Sequence, residues 1–384
     1  MKQIIFLVLF SFPIGILRSE SSGNIEAANN PDKYAWDIFM ELNVPADMEK
    51  GRGVASTKAL GTPGITVWES WKLARNVFTS NGCKPTSWEN WDDEQSKDPT
   101  KLRRGLDPTK AKLALGRPTG TPAHILIDAS NPLGNETRMN KAAFDFIVQN
   151  DLFTIDGQEK FHKENKPIDL PVAAREVKGA WRLLTPVEAG SKRYHMATIG
   201  DKVYGLTGLH IITKDLPQWF WSTFEHVDNP LPETNGILYF DRHTRGGTRL
   251  PGSVANTKWQ YYRLRGTQTD FTDLAGRGTL LSNTQIEQGF QASSSCVSCH
   301  AHATIGPKTS DKANRLPIFP RQTIVFLDPG KPEQSEMGLQ IFGWTGRPDP
   351  NDFYDVATGR RKYTQTDFMW SFFRAARKSS ACSK

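Results

Sequence analysis

Val177-Lys-Gly-Ala-Trp-Arg-Leu183 and Val203-Tyr-Gly-Leu-Thr-Gly-Leu-His-Ile-Ile-Thr213 decide the fold class. In the first, Val177, Gly179, Trp181 and Leu183 alternate with other residues, the period of two that turns one face of a strand toward a core. Segment 194–200 has the same habit, and Ile237–Phe240 and Trp259–Leu264 resume it. Short strands divided by turn-forming sequence predict an antiparallel sheet built largely from residues 175–265. The 31 glycines and 24 prolines favour many turns over a plain helical bundle.

Outward from that stretch the period changes to that of helices. Ala35, Trp36, Ile38, Phe39 and Leu42 form a helical stripe that stops before Pro45. Thr66-Val-Trp-Glu69 reads as a capping box, with Val67, Trp71, Ala74 and Phe78 on one face of the helix it opens. A further helix is expected from Glu136 to Asn150, burying Met139, Ala143, Phe146 and Ile147. Asp215-Leu-Pro-Gln218 predicts the start of an aromatic helix carrying Trp219, Phe220, Trp221, Phe224 and His226. Near the end, Thr284-Gln-Ile-Glu287 predicts a helix running into Ser293-Ser-Ser-Cys-Val-Ser-Cys-His300, and Thr364 and Asp367 cap a last helix with Phe368, Met369, Phe372 and Phe373. The expectation is an α+β protein.

The first residues, Met-Lys-Gln, precede an apolar run from Ile4 through Phe10 that continues past Ser11 to Leu17. A positive start and a short apolar core predict an export signal over 1–21, and no later stretch is long enough for a transmembrane span. The chain then divides into a mainly helical, loop-rich region at 22–170, a β-rich region at 171–279 and a third region at 280–384. Net charge is +7, and 46 basic against 40 acidic residues remain, or +6, once Lys2, Arg18 and Glu20 leave with the signal. That excess is scattered, with no basic stripe interleaved with aromatics, so nucleic acid is excluded as a partner. A basic surface instead suits an acidic redox protein partner.

Cys296-Val-Ser-Cys-His300 is the chemically specific motif. Cys-x-x-Cys-His reads as c-type haem attachment: two thiols reach the two vinyl groups on one porphyrin edge, and the adjoining imidazole turns beneath the ring to the iron. A thioredoxin-like reading needs a strand before the cysteines, which here end a predicted helix, and a zinc site needs about four protein ligands, with only His302 nearby. The expectation is one covalent haem c (iron) on Cys296 and Cys299, with His300 as proximal ligand in a helical cytochrome c-like segment. Phe290, Ile305, Leu316, Ile318, Phe319, Phe372 and Phe373 are available as haem walls, and Arg321 as a guanidinium for a propionate. Cys83 and Cys382 remain, free to pair in an oxidising compartment.

With these residues in view, the chain resembles a class of bacterial periplasmic cytochrome c family proteins with one haem site near the C-terminus. The resemblance rests on Thr66-Val-Trp-Glu-Ser-Trp-Lys72, Arg138-Met-Asn-Lys-Ala-Ala-Phe144, Gly208-Leu-His-Ile211, Trp219-Phe-Trp-Ser-Thr-Phe-Glu-His226 and Ser294-Ser-Cys-Val-Ser-Cys-His300. It implies thioether bonds at Cys296 and Cys299, proximal ligation by His300, electron transfer and a periplasmic location.

What lies opposite His300 separates carrier from enzyme, since a carrier fills both axial positions and a peroxidase leaves one open. Met337, in the loop-like Ser335-Glu-Met-Gly-Leu339, is the first candidate for a sixth ligand, ahead of Met369 in the last helix and Met196. His210, where Gly205 and Gly208 leave room for a close neighbour such as a ring, and His226 are candidates for ligation or for acid–base work. A peroxidase-like enzyme would pair one of them with Glu225 or a tryptophan. A haem-based sensor or binding module is the remaining alternative.

Overall fold

The computed structural model describes residues 25–91, 134–199, 201–229, 233–234, 237–238, 250–287, 294–317 and 344–383. The expected export signal, Arg321 and Met337, and the wall residues Phe290, Ile318 and Phe319, lie outside the described residues.

The chain opens with α1 (Ile25–Asn29) and α2 (Pro31–Asn43), the latter with proline in its first turn and the expected stripe of Ala35, Trp36, Ile38, Phe39 and Leu42 buried. The helix expected from Thr66 forms differently. Glu69 accepts the Thr66 N–H at 2.8 Å and its hydroxyl at 3.0 Å. Yet only a 3-10 turn follows, Trp68–Ser70, before β1 (Lys72–Leu73) and the short α3 (Ala74–Val77). The interruption has a partner: the Arg138 guanidinium takes the Trp71 carbonyl, and Lys72 pairs with Met139 in the ladder. Likewise the helix expected from Glu136 begins as a strand, β2 (Gly134–Met139), and becomes α4 (Lys141–Gln149) only after Asn140 caps it by accepting from the Ala143 N–H. α5 (Ile155–Lys163) follows, capped by Thr154.

The sheet expected from the alternation is present. β3 (Arg175–Leu183), α6 (Pro186–Gly190), β4 (Met196–Ile199) and β5 (Lys202–Thr213) come in sequence. The segment expected as an aromatic helix is instead a strand, β6 (Phe220–His226), buried along its whole length. A hairpin of β7 (Glu233–Thr234) and β8 (Ile237–Leu238) precedes β9 (Tyr262–Gln268). The order is β1-β2-β3-β5-β6-β9, every pair antiparallel, with β4 sharing the far edge of β5.

The register sorts the side chains. Lys178, His210 and Thr223 are lateral neighbours, and so are Glu176, Ile212, Trp221 and Gln268; these two rows lie on one face. The other face carries Phe220 and Phe224 against α2, with Tyr34, Trp36 and Phe39 at ring separations of 4.9, 5.0 and 4.3 Å. Burying one such ring contributes roughly 1.5–3 kcal/mol, so this aromatic layer anchors α2 and leaves the opposite face free for another segment.

That segment is the C-terminal part, which is less helical than expected. Among the described residues no helix leads into the cysteines; α7 (Cys296–Ala301) starts on them. The last helix is replaced by β10 (Thr304–Ile305) paired with β11 (Thr364–Gln365) and a 3-10 turn at Trp370–Arg374. Asp367 and Phe368, at φ 48° and 66°, break any helix between them. A helical cytochrome-like segment is therefore not what the described residues form. Cys83 and Cys382 are joined by a disulfide. Among the described residues no helix is long and apolar enough to cross a membrane.

Candidate functional site

The motif is placed by one buried side chain of the sheet. Gln268, at the end of β9, donates to Ser295 Oγ at 2.8 Å and accepts from the Val297 N–H at 3.0 Å. Ser295 is also the N-cap of α7, accepting from the Ser298 N–H. The cysteines thus sit one turn apart, at the start of a helix pinned to the sheet. Cys296 is buried, with its thiol 3.4 Å from the Leu281 carbonyl, and Cys299 is half-buried. Burial, reinforced by Glu287, raises the Cys296 thiol well above its ordinary value and pushes Cys299 up to about 12. Disulfide-exchange cysteines instead have lowered values that favour the thiolate. These thiols stay protonated, which argues against redox exchange.

His300 Nδ1 lies 2.6 Å from the Phe368 carbonyl. A carbonyl only accepts, so Nδ1 carries the proton and Nε2 keeps its lone pair. Burial pushes the imidazole down to about 3, so the ring is neutral at physiological pH. Its face meets Trp221 of β6 at 4.6 Å. The carbonyl is aimed by the turn at Asp367 and Phe368, whose left-handed backbone is unfavourable outside glycine and needs external support. Asp367 supplies it: its buried carboxylate accepts from the Leu170 N–H at 2.7 Å, from Trp219 Nε1 at 3.1 Å and from Lys214.

The sheet face beside His300 is unusually rich in charge. His210 Nε2 lies 3.2 and 3.3 Å from the two oxygens of Glu287, so Nε2 carries the proton there, and among the described residues Nδ1 has no hydrogen-bond partner. Glu287 also accepts from the Asn283 N–H at 2.7 Å. Despite its burial its carboxyl is held below the ordinary value, chiefly by His210. Lys178, beside His210 in the register, is lowered by burial, and Glu287 works against that shift. Glu176 is pushed up to about 7 by burial, against Ser371, Arg374 and Lys178. Lys178, His210, Cys299 and His300 all keep accessible surface although the fold closes around them.

Of the residues singled out in the sequence, His210 therefore comes to the motif and His226 does not. His226 lies on the other sheet face, stacked on Tyr194 at 3.8 Å, with Nε2 on the Arg193 carbonyl and Nδ1 accepting from the Asp228 N–H. Both its nitrogens are engaged in holding the core. Met369 is fully buried and directly follows Phe368, whose carbonyl accepts the Nδ1–H. Met196 is partly exposed on β4. The space at Gly208 serves Asn283, whose Oδ1 would lie 2.8 Å from an added Cβ, and that at Gly205 serves Leu184 and Tyr194; neither accommodates a ring of a bound group. Glu225 accepts from the Thr284 N–H and hydroxyl and belongs to that same anchoring. His302 is stacked on Trp344 at 3.7 Å.

Glu176, Lys178, Gln268, Glu287 and the Phe368 carbonyl were not anticipated from the sequence. Only Lys178 and Glu176 carried a signal, as charged residues inside a strand otherwise bound for burial. Among the described residues no group of three or more His, Cys, Asp or Glu side chains could hold a metal ion by itself. The arrangement offers two neutral thiols one turn apart and an unprotonated imidazole nitrogen beside them, with a charged sheet face alongside. Comparison with family models, with curated proteins and with solved structures gave no match, so the reading of this site rests on its own chemistry.

Proposed function

We infer that Cys296, Cys299 and His300 carry one covalently bound haem c, and that the protein is an exported, periplasmic one-electron carrier of the cytochrome c type. One observation supports the reading: His300 is neutral and donates its Nδ1–H to the Phe368 carbonyl at 2.6 Å, which leaves the Nε2 lone pair unprotonated. Metal-bound histidines almost always donate their other ring N–H to such an acceptor. When bound, haem supplies reversible one-electron change at an iron whose equatorial donors are its own, so the chain needs to furnish only axial ligands.

The chain's own residues fit that group. Cys296 and Cys299, held protonated and free of a disulfide, are the thiols for thioether bonds. Lys178 is the cation beside the motif that would pair with a propionate, with Arg374 near it and Arg321 a further candidate from the sequence. Trp221 flanks the His300 ring and excludes water from that side. The Cys83–Cys382 disulfide suits an oxidising compartment, as export requires.

The His210–Glu287 pair favours a second reading, a peroxidase-like haem enzyme. An imidazole with one nitrogen on a carboxylate and the other open can pass a proton. His210 is also the histidine left to stand as a sixth ligand, beside Met337. Peroxide or carbon monoxide added to the native protein separates the readings: an unchanged Soret band supports a six-coordinate carrier.

The central test is retention. After acid–acetone treatment the haem should stay with the chain, and the intact mass should equal the processed polypeptide plus one haem. His300→Ala should abolish the low-spin spectrum. Haem that extracts freely, or a mass without haem after expression alongside a c-type maturation system, overturns the reading.

A further inference from the structure

Away from the sheet face, a groove of about 1110 Å³ opens between α5, the turn after β10 and the bend at 359–361. Five cations line it: Lys160, Lys163, Lys308, Arg360 and Arg361. Its three carboxylates share two cations outside the lining, Arg377 and Lys166. Glu159 takes both Nη atoms of Arg377 at 2.8 and 2.9 Å, Asp156 takes Arg377 at 2.9 Å, and Glu164 pairs with Lys166 at 2.7 Å. Among the described residues the five lining cations have no carboxylate within ion-pair distance, and the three lining carboxylates offset their field only in part. His162, deeper in the groove, reports that field: burial lowers it first, then Arg361 and Arg360.

The groove is linked to the motif through a short run of chain. His162 Nδ1 meets Thr364 Oγ1 at 3.1 Å; Thr364 pairs with Ile305 across β10 and β11; and the same strand leads within four residues to Phe368, whose carbonyl holds His300. The cations come from three separate segments around an open trough. Such a surface matches carboxylates spread over another protein, whereas a small anion needs a closed cradle.

We propose that this groove is the docking surface for an acidic redox protein that exchanges electrons with a haem held at Cys296–His300. The proposal rests on the haem reading. In the exchange one electron leaves the reduced partner and turns ferric haem ferrous; no bond forms or breaks and no proton moves.

The test has two arms. Without reference to haem, poly-L-glutamate should bind the full chain by calorimetry, and Lys160→Glu combined with Arg360→Glu should weaken that binding by about tenfold or more. Inorganic phosphate at equal ionic strength should not compete. With haem, the ferrous protein should be oxidised by hexacyanoferrate(III) about tenfold more slowly in the double variant, with a flatter salt dependence. Its reaction with hexaammineruthenium(III) should not slow. Phosphate that displaces poly-L-glutamate makes the groove a small-anion site and overturns the proposal, as do wild-type binding and rates in the double variant. A chain without haem leaves the calorimetric arm standing, so failure of the haem reading is told apart.

Discussion

Phe368 and His300 are 68 residues apart in sequence, and the backbone carbonyl of the first holds the ring proton of the second at 2.6 Å. A backbone acceptor cannot be removed by changing its own side chain. The grip therefore depends on residues that hold the turn, and Asp367 is the nearest of them.

Asp367→Ala should loosen that turn and destabilise the protein. Burial raises the Asp367 carboxyl while Lys214, Leu170 and Trp219 pull it back. Removing it leaves Lys214 short of one partner and a buried indole N–H with none. Breaking a buried pair by deleting one member costs about 3–5 kcal/mol. Urea unfolding should show a loss of that order, and in the haem-loaded protein the reduction potential should shift as His300 loses its fixed acceptor. An unchanged midpoint and potential would mean that the turn holds itself.

Glu176 gives the stability a particular pH dependence. Burial carries its carboxyl up to about 7, with Ser371, Arg374 and Lys178 pulling it back. Because the folded value lies above the ordinary 4.5, the folded state binds the proton more tightly. This contribution is fully present below 4.5 and is lost as pH rises through about 7. Glu176→Gln cannot ionise and should lose less stability than the wild type across that window, by roughly 3 kcal/mol. Denaturation curves at a series of pH values measure the difference, and parallel wild-type and variant profiles would remove Glu176 as the cause.

Gly208→Ala should disturb the motif from a distance. The added Cβ would sit 2.8 Å from Asn283 Oδ1, and Asn283 is fully buried, bonded to Thr223 Oγ1 and the Phe224 carbonyl. Its segment also carries Glu287, the partner of His210, and begins beside Leu281, whose carbonyl meets Cys296. Overpacking of this kind costs about 1–3 kcal/mol. Thermal unfolding should show that loss, with faster alkylation of Cys296 in the haem-free protein. A variant with wild-type melting and wild-type thiol protection would show that the segment yields freely.

The sheet was legible where one strand face differs from the other. Along β3, Val177, Trp181 and Leu183 alternate with Lys178 and Arg182 and announce the strand. β6 is buried on both faces, so its run of Trp, Phe and Thr carries no alternation, and the aromatic spacing mimicked a helix. The last helix failed for another reason: Asp367 and Phe368 take left-handed backbone without glycine, a choice that tertiary contacts to Lys214 and Trp219 impose and no local pattern displays. Thr284-Gln-Ile-Glu287 looked like a helix start, but the Glu287 oxygens go to Asn283 and His210. Cys296, Cys299 and His300 were readable because their chemistry is contiguous. Lys178, Gln268 and the Phe368 carbonyl were not, because strand register and a return of the chain bring them there.

The bridge between Cys83 and Cys382 spans 299 residues of sequence. Around it, the Ser379 N–H bonds the Asn81 carbonyl at 2.9 Å, and Gly82, at φ 66°, lies so close that an added Cβ would stand 2.3 Å from the Arg377 carbonyl. Tension applied beyond Cys382 therefore enters the body of the protein at Cys83, past α3, and bypasses the stretch that carries Phe368. With the bridge reduced, the same pull would run through Arg377 and Arg374 to Phe368 and peel its carbonyl from His300. The disulfide thus works as a strain relief, isolating the grip on the imidazole from whatever tugs at the tail.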